Sequence, residues 1–282
     1  MTDKVPASPA KWADLGVRAL SAAVLIPAVL ADVWFGGIWF ELLVALLAIL
    51  MAMEWTAMAN RGDPLQFALH AAAALCGTFL PLHAGASAAL IAVAVIWLIS
   101  SGLAARPETG MGGWRFLGVP YVSLPAAALV ILRNDPLFGA KAIVWVMVIV
   151  WAADTLAYFA GRIIGGPKLA PVLSPKKTWA GLGGAIAGSA IASVIFAAVA
   201  GLPAILWLAI LAGLLALAEQ AGDLFKSALK RRCGVKDSGR IIPGHGGIID
   251  RVDGLVSVAV AAAIIGILHG GLSATGAGLL LW

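Results

Sequence analysis

The chain has 282 residues, of which 62% are hydrophobic and only 12% charged, with a mean hydropathy of +1.00. Soluble domains are about half apolar and about a quarter charged, and disordered chains are poorer still in apolar residues, so both classes are excluded. Two cysteines, Cys76 and Cys233, are too few for a disulfide framework or a cysteine-built zinc site, and a net charge of +5 in so apolar a chain reports membrane orientation and anionic lipid rather than nucleic acid.

A helix that crosses the hydrocarbon core needs about 20 largely apolar residues. Nine segments meet that need, near residues 17–35, 38–59, 67–83, 86–105, 116–132, 138–160, 182–200, 203–221 and 254–272. The third and fifth are diluted by Pro81, Pro120 and Pro125, which neighbouring helices can accommodate. Lys4, Lys11 and Arg18 precede an apolar run that continues through Trp34 and Phe35, longer than a signal-peptide core, so the first segment reads as a span. With the N-terminus inside, all but Arg133 and Lys141 of the 19 basic residues fall on the cytoplasmic side. That bias predicts nine spans, N-in and C-out. Trp12, Trp34, Trp39, Trp97, Trp114 and Trp282 lie near span ends, as an interfacial belt would place them. The expected fold is an all-α polytopic integral membrane protein with a cytoplasm-facing cavity. Residues 1–150 supply scaffold helices and lipid access. Residues 151–282 carry the concentrated polar chemistry, with two long cytoplasmic segments, 161–181 and 222–253.

The first long segment follows Asp154, a carboxylate inside an apolar span, where charge is costly and normally faces a partner or a polar cavity. Asp154, Tyr158 and Arg162 fall at four-residue steps and share one helix face. They can be a structural ion pair or the wall of a site. Ser174-Pro175-Lys176-Lys177-Thr178 combines two ammonium groups with two hydroxyls just ahead of a glycine-rich helix start. Such a loop can hold a phosphate or anchor the chain to anionic headgroups, and both readings stand. It lacks the G-x-x-x-x-G-K-[ST] pattern of a Walker A loop. Gly184 and Gly188 form a G-x-x-x-G step that points to close helix packing.

The second segment carries more chemistry. Glu219 and Asp223 share a helical face at the end of a span, and Lys226, Ser227 and Lys230 continue it outward. Arg231, Lys236 and Asp237 follow. Then comes Pro243-Gly244-His245-Gly246-Gly247, whose proline and glycines forbid a stable helix and let backbone approach a ligand. Asp250 and Asp253 lie one turn apart as the last span begins. Capping explains one aspartate at a helix start. It does not explain the second acidic pair beside the same membrane surface. Several carboxylates from separate elements are a Mg²⁺-type donor set. His245 suits a phosphate contact or loop ordering better than zinc, since no second histidine or cysteine accompanies it.

These residues resemble the phosphatidate cytidylyltransferase (CDP-diacylglycerol synthase) family. The resemblance is carried by Ser227, Lys230-Arg231, Lys236-Asp237, Gly239, Pro243, His245-Gly246-Gly247, Asp250-Arg251 and Asp253, and by Ala157-Tyr158, Gly161-Arg162, Lys168-Leu169 and Ser174 to Thr178. It covers roughly the C-terminal half of the chain. Ala180 stands where many members carry an acidic residue, so that position has no assigned role. The resemblance implies that CTP and phosphatidic acid give CDP-diacylglycerol and pyrophosphate by Mg²⁺-dependent in-line displacement at the membrane–cytosol interface. One or two metals would clamp the phosphates. Asp223 and Asp250 would be the metal ligands, with Glu219 and Asp253 in support. Lys176, Lys177, Lys230 and Arg231 would act on the triphosphate and leaving pyrophosphate. Ser174, Thr178, Ser227, Lys236, Asp237, Gly244, His245, Gly246, Gly247, Arg251 and Asp154 would bind and orient the substrates, and the cavity near Asp154 and Glu219 would admit the lipid headgroup from the bilayer. The expected location is a bacterial inner membrane, and the sequence leaves open whether two copies pair. Two rival readings remain: a CTP-dependent transferase acting on another lipid phosphate, and a cation-coupled transporter using the intramembrane carboxylates. Against transport, the polar residues cluster at one face and no inverted repeat is visible.

Overall fold

Inside a bilayer the backbone must satisfy its own hydrogen bonds, so long apolar runs become helices and the breaks fall at glycine, proline and capping residues. The computed structural model describes residues 23, 25–104, 112–239 and 246–282. Its helices are α1 (Leu25–Phe35), α2 (Gly37–Ala59), α3 (Pro64–His83), α4 (Ala86–Ala104), α5 (Gly118–Arg133, entered through a 3₁₀ turn), α6 (Gly139–Ile163), α7 (Trp179–Ala200), α8 (Ile205–Arg232), α9 (Ile249–Gly270) and α10 (Thr275–Leu280). Among the described residues eight helices, α2 to α9, are long and apolar enough to cross a membrane. The first expected span, 17–35, lies partly outside the described residues.

Local chemistry sets the boundaries. Asp63 accepts hydrogen bonds from Leu65 N at 2.8 Å and Gln66 N at 3.2 Å, and Pro64 occupies the first helical position of α3. Thr178 caps α7 through Gly181 N at 3.0 Å, and Gly201, at φ 68, ends it in the left-handed conformation. At the other end of the bundle Arg133 donates from Nε to Val33 O at 2.6 Å, and Asp135 accepts Ala277 N at 2.8 Å, tying α10 to the α5–α6 corner.

Two elements differ from the sequence expectation. The segment 161–181 is not all loop: β1 (Lys168–Ala170) pairs antiparallel with β2 (Ser174–Thr178), with Lys168 opposite Thr178 and Ala170 opposite Ser174. Pro175 drives Ser174 into an extended conformation, which suits the strand. Helix α8 does not stop near residue 221 but runs 28 residues to Arg232. At 1.5 Å per residue it is about 42 Å long, well beyond a core of about 30 Å. Asp223, Lys226 and Lys230 are therefore carried on rigid helix.

The core is built around Trp55, Trp145, Ile149, Leu208, Leu215 and Ile249, all fully buried. Trp145 Nε1 donates to Ser193 Oγ at 2.9 Å, and Ser193 Oγ donates to Leu208 O at 2.9 Å, joining α6, α7 and α8 through polar groups that have no water to turn to. Trp34, Trp39, Trp97 and Trp282 are exposed, as a belt requires, but Trp114 packs on Phe225 with ring centroids 5.4 Å apart.

Helices α6 and α7 meet through the small residues expected to pack closely. A Cβ on Gly184 would strike the Ala160 methyl and sit 2.6 Å from Leu156 O, and one on Gly188 would strike the Leu156 side chain. Backbone cannot yield as a side-chain tip can. Gly184→Val is therefore expected to lower stability by about 2–3 kcal/mol, the upper range for overpacking. The check is a melting curve in detergent, and an unchanged midpoint would refute the close α6–α7 contact.

Candidate active site

The three- and four-residue spacing of α8 puts Glu219, Asp223, Lys226 and Lys230 along one stripe. The first two turns of α9 present Asp250 and Asp253 to it. The two helix ends meet on Lys226, which is buried. Its Nζ lies 2.9 Å from Asp223 Oδ1 and 3.9 Å from Asp250 Oδ1, and is paired with Asp253 Oδ2. Lys230 Nζ completes the Asp250 contact at 2.6 Å. Strand β2 adds Lys177, whose Nζ is 2.6 Å from Asp223 Oδ2 and donates to Gln220 Oε1 at 2.7 Å. Three carboxylates and three ammonium groups from separate stretches thus form one network. The expectation that Asp223 and Asp250 come together is met.

Beside this network lies a cavity of about 550 Å³, lined on one side by Asp154, Tyr158 and Arg162 and on the other by Lys176, Lys177, Thr178 and Gln220. That volume is in the range of ligand sites, about 300–1,000 Å³. Lys177 belongs to both cavity and network. Asp154 faces this space and makes side-chain contact with Glu219. Glu219 is 1% exposed and also accepts Gln220 Nε2 at 2.5 Å. The suggested Asp154–Arg162 pair is replaced by a different bond: Arg162 donates to the Tyr158 hydroxyl at 2.7 Å, one turn away, where the long side chain reaches.

The remaining expected residues fall around this centre. Lys176 is exposed at the cavity rim, because successive strand residues point to opposite faces. Thr178 lines the cavity, and its hydroxyl oxygen accepts the α7 cap bond. Ser174 is half-buried opposite Ala170 in the hairpin. Ser227 is half-buried one residue past Lys226, and among the described residues it does not enter the ion-pair network. Arg231, Lys236, Asp237 and Arg251 are exposed around the same end of the bundle. Gly244 and His245 lie outside the described residues. Gly246 adopts φ +82, with its Cβ position 3.8 Å from Asp250 Oδ2.

Sequence reasoning missed three participants. Glu54, on α2, is 3% exposed and binds the start of α9. Its Oε1 accepts Ile248 N at 2.8 Å and its Oε2 accepts Ile249 N at 2.9 Å. Ser238 binds Asp250 Oδ2 through both its N, at 2.8 Å, and its Oγ, at 2.9 Å. Gln220 joins Lys177 to Glu219. The bare backbone of Gly247 approaches the Glu54 carboxylate, where the sequence suggested that it approaches a ligand. Capping of α9 also falls to Glu54, which leaves both oxygens of Asp250 for Lys230 and Ser238.

A hard cation needs several oxygen ligands. Among the described residues no three His, Cys, Asp or Glu side chains are already set as a cation site. The carboxylates of Asp223, Asp250 and Asp253 do converge, but on the Lys226 ammonium, which stands where a positive charge is required. Carboxylate oxygens are the donors a hard cation takes, and in this structure the Lys226 ammonium occupies the space between them.

Residues 16–268 match the cytidylyltransferase family. The chain is 38% identical over 258 residues to a phosphatidate cytidylyltransferase of Brucella abortus biovar 1 (strain 9-941), covering 90% of this chain and 93% of the relative. It is 36% identical over 260 residues to one of Pseudomonas aeruginosa, covering 88% and 96%. A Staphylococcus haemolyticus phosphatidate cytidylyltransferase is 34% identical over 250 residues, covering 86% and 95%.

Proposed function

The chain belongs to the cytidylyltransferase family, and on that premise we propose how its acidic and basic network works. The enzyme is a nucleotidyltransferase of the membrane, taking CTP and phosphatidate to CDP-diacylglycerol and pyrophosphate. A phosphate oxygen of the lipid bonds to the α-phosphorus of CTP. The bond from that phosphorus to the α–β bridging oxygen breaks, and its electron pair leaves with pyrophosphate. The nucleophile is already an anion, so no proton need be removed, and catalysis reduces to alignment and charge neutralisation.

The residues divide that work. Lys177 reaches from the cavity into the network, so it is placed to follow the triphosphate from binding to departure. Lys176 at the rim and Lys230 at the far end of the stripe add charge for the phosphates, with Arg231 outside them. Asp223 and Asp250 would hold Mg²⁺, with Asp253 and Glu219 beside them. Bound Mg²⁺ would offset the charge of the two anionic substrates and polarise phosphoryl oxygens. Asp154, Tyr158 and Arg162 form the wall through which a headgroup enters from the bilayer side. In this reading the chain has nine spans, N-in and C-out, and works at the cytoplasmic face of a bacterial inner membrane. The single observation that carries the site assignment is the convergence of Asp223, Asp250 and Asp253 on one ammonium beside a cavity that Lys177 also lines.

The test is purified protein in proteoliposomes with CTP labelled at the α-phosphate. Label is expected in organic-extractable lipid when phosphatidic acid and Mg²⁺ are both present. Transfer only to another lipid phosphate, such as a polyprenyl phosphate, would overturn the acceptor. Transfer undiminished by chelator would overturn the metal.

A further inference from the structure

We propose that Glu54 is a positioning residue that sets the orientation of Asp250, and with it the geometry of the transfer site. The inference rests on the reading that Asp250 belongs to the catalytic network. Glu54 lies in α2, 194 residues before the first backbone group it binds. A carboxylate buried at this depth needs strong compensation. It finds it at the start of α9, whose first N–H groups have no partners within the helix and carry its positive dipole end. Both oxygens are engaged there, one by Ile248 N and the other by Ile249 N.

The second link runs through Ser238. Its Oγ is 3.0 Å from Glu54 Oε2 and 2.9 Å from Asp250 Oδ2, while its N–H donates to that same Asp250 oxygen. The serine hydroxyl has one proton and two carboxylates in reach, so it couples the two. Glu54 thereby fixes Asp250 twice, by holding the helix that carries it and by holding the serine that binds it. The enclosure is tight. A Cβ on Gly239 would lie 2.5 Å from Glu54 Oε1, and one on Gly247 would lie 2.5 Å from Oε2. Bare backbone at Gly239 and at Gly247 therefore packs on the carboxylate. Glutamine has the same shape but only one acceptor oxygen, so it would turn an NH₂ group toward a helix N–H.

The experiment compares Glu54→Gln, Glu54→Asp and Ser238→Ala with the parent protein in proteoliposomes. Glu54→Gln is expected to lower kcat about 10–100-fold, the usual effect of losing a group that orients a metal-binding side chain, with KM for CTP within about threefold. Half-saturation with Mn²⁺, followed by electron paramagnetic resonance without substrates, is expected to rise by about the same factor. Ser238→Ala should move both readouts in the same direction by less, because the contacts to Ile248 and Ile249 remain. It decides the matter if Glu54→Gln does not insert. Variants that lose thermal stability but keep kcat per folded molecule and Mn²⁺ binding would overturn the proposal. A parent protein that transfers no label would instead overturn the reaction assigned above, and the Mn²⁺ comparison would still judge Glu54.

Discussion

Asparagine in place of Asp223 or Asp250 is expected to reduce cytidylyl transfer by roughly 10³-fold or more while the protein still inserts and folds, in line with removing a principal electrostatic group from a preorganised site. The two aspartates occupy complementary places. Asp223 binds Lys177 with one oxygen and Lys226 with the other, so it joins the cavity to the buried end of the network. Asp250 binds Lys230 with one oxygen and Ser238 with the other. Asparagine keeps the shape and one acceptor oxygen but removes the charge, and its NH₂ group faces an ammonium. The bundle should survive, because Lys226 keeps Asp253 and one remaining aspartate, and Lys177 keeps Gln220. The checks are transfer of α-labelled phosphate from CTP into lipid and an unchanged elution volume and helical signal in detergent. Activity within tenfold of the parent in either variant would remove that residue from the catalytic centre.

The parts of the site that were legible in the sequence are those set by local periodicity. Asp223, Lys226 and Lys230 follow the helical repeat, Asp250 and Asp253 are one turn apart, and both groups flank long apolar runs whose lengths match a membrane. The glycines at 184 and 188 also speak locally, since a small residue every four positions marks a close approach wherever the partner lies. Glu54 does not speak that way. It sits near the end of a 23-residue apolar helix, and its partners come 184 to 195 residues later. The signal available is its cost: a carboxylate in an apolar span needs a partner, and this holds for Glu54 as it does for Asp154. The central place of Lys226 was hidden for another reason. Spacing puts it on the stripe with Asp223 and Lys230, but only the packing of α8 against α9 makes it the point on which three carboxylates close. Thr178 has a second task that its place beside lysines does not announce: its oxygen accepts the α7 cap bond while the residue also lines the cavity.

That packing makes Lys226→Met the variant with the largest expected effect on stability. Its ammonium is the shared counter-charge of Asp223, Asp250 and Asp253, and it is buried. Methionine fills a similar volume and leaves the carboxylates facing one another, so the loss should be about 3–5 kcal/mol, as for breaking a buried ion pair by removing one partner. Lys226→Arg, which keeps the charge, should lose much less. A divalent cation can restore what the lysine supplied, because the vacated space is walled by carboxylate oxygens, its preferred ligands. In chelator the melting temperature of Lys226→Met should therefore fall well below that of the parent. Millimolar Mg²⁺ should recover most of the difference, since binding to the folded state alone raises stability in proportion to the logarithm of ligand concentration over Kd. The parent, already neutralised by its lysine, should respond far less. A Lys226→Met protein that melts at the same temperature with and without Mg²⁺ would show that these aspartates gather around an ammonium for structural reasons alone.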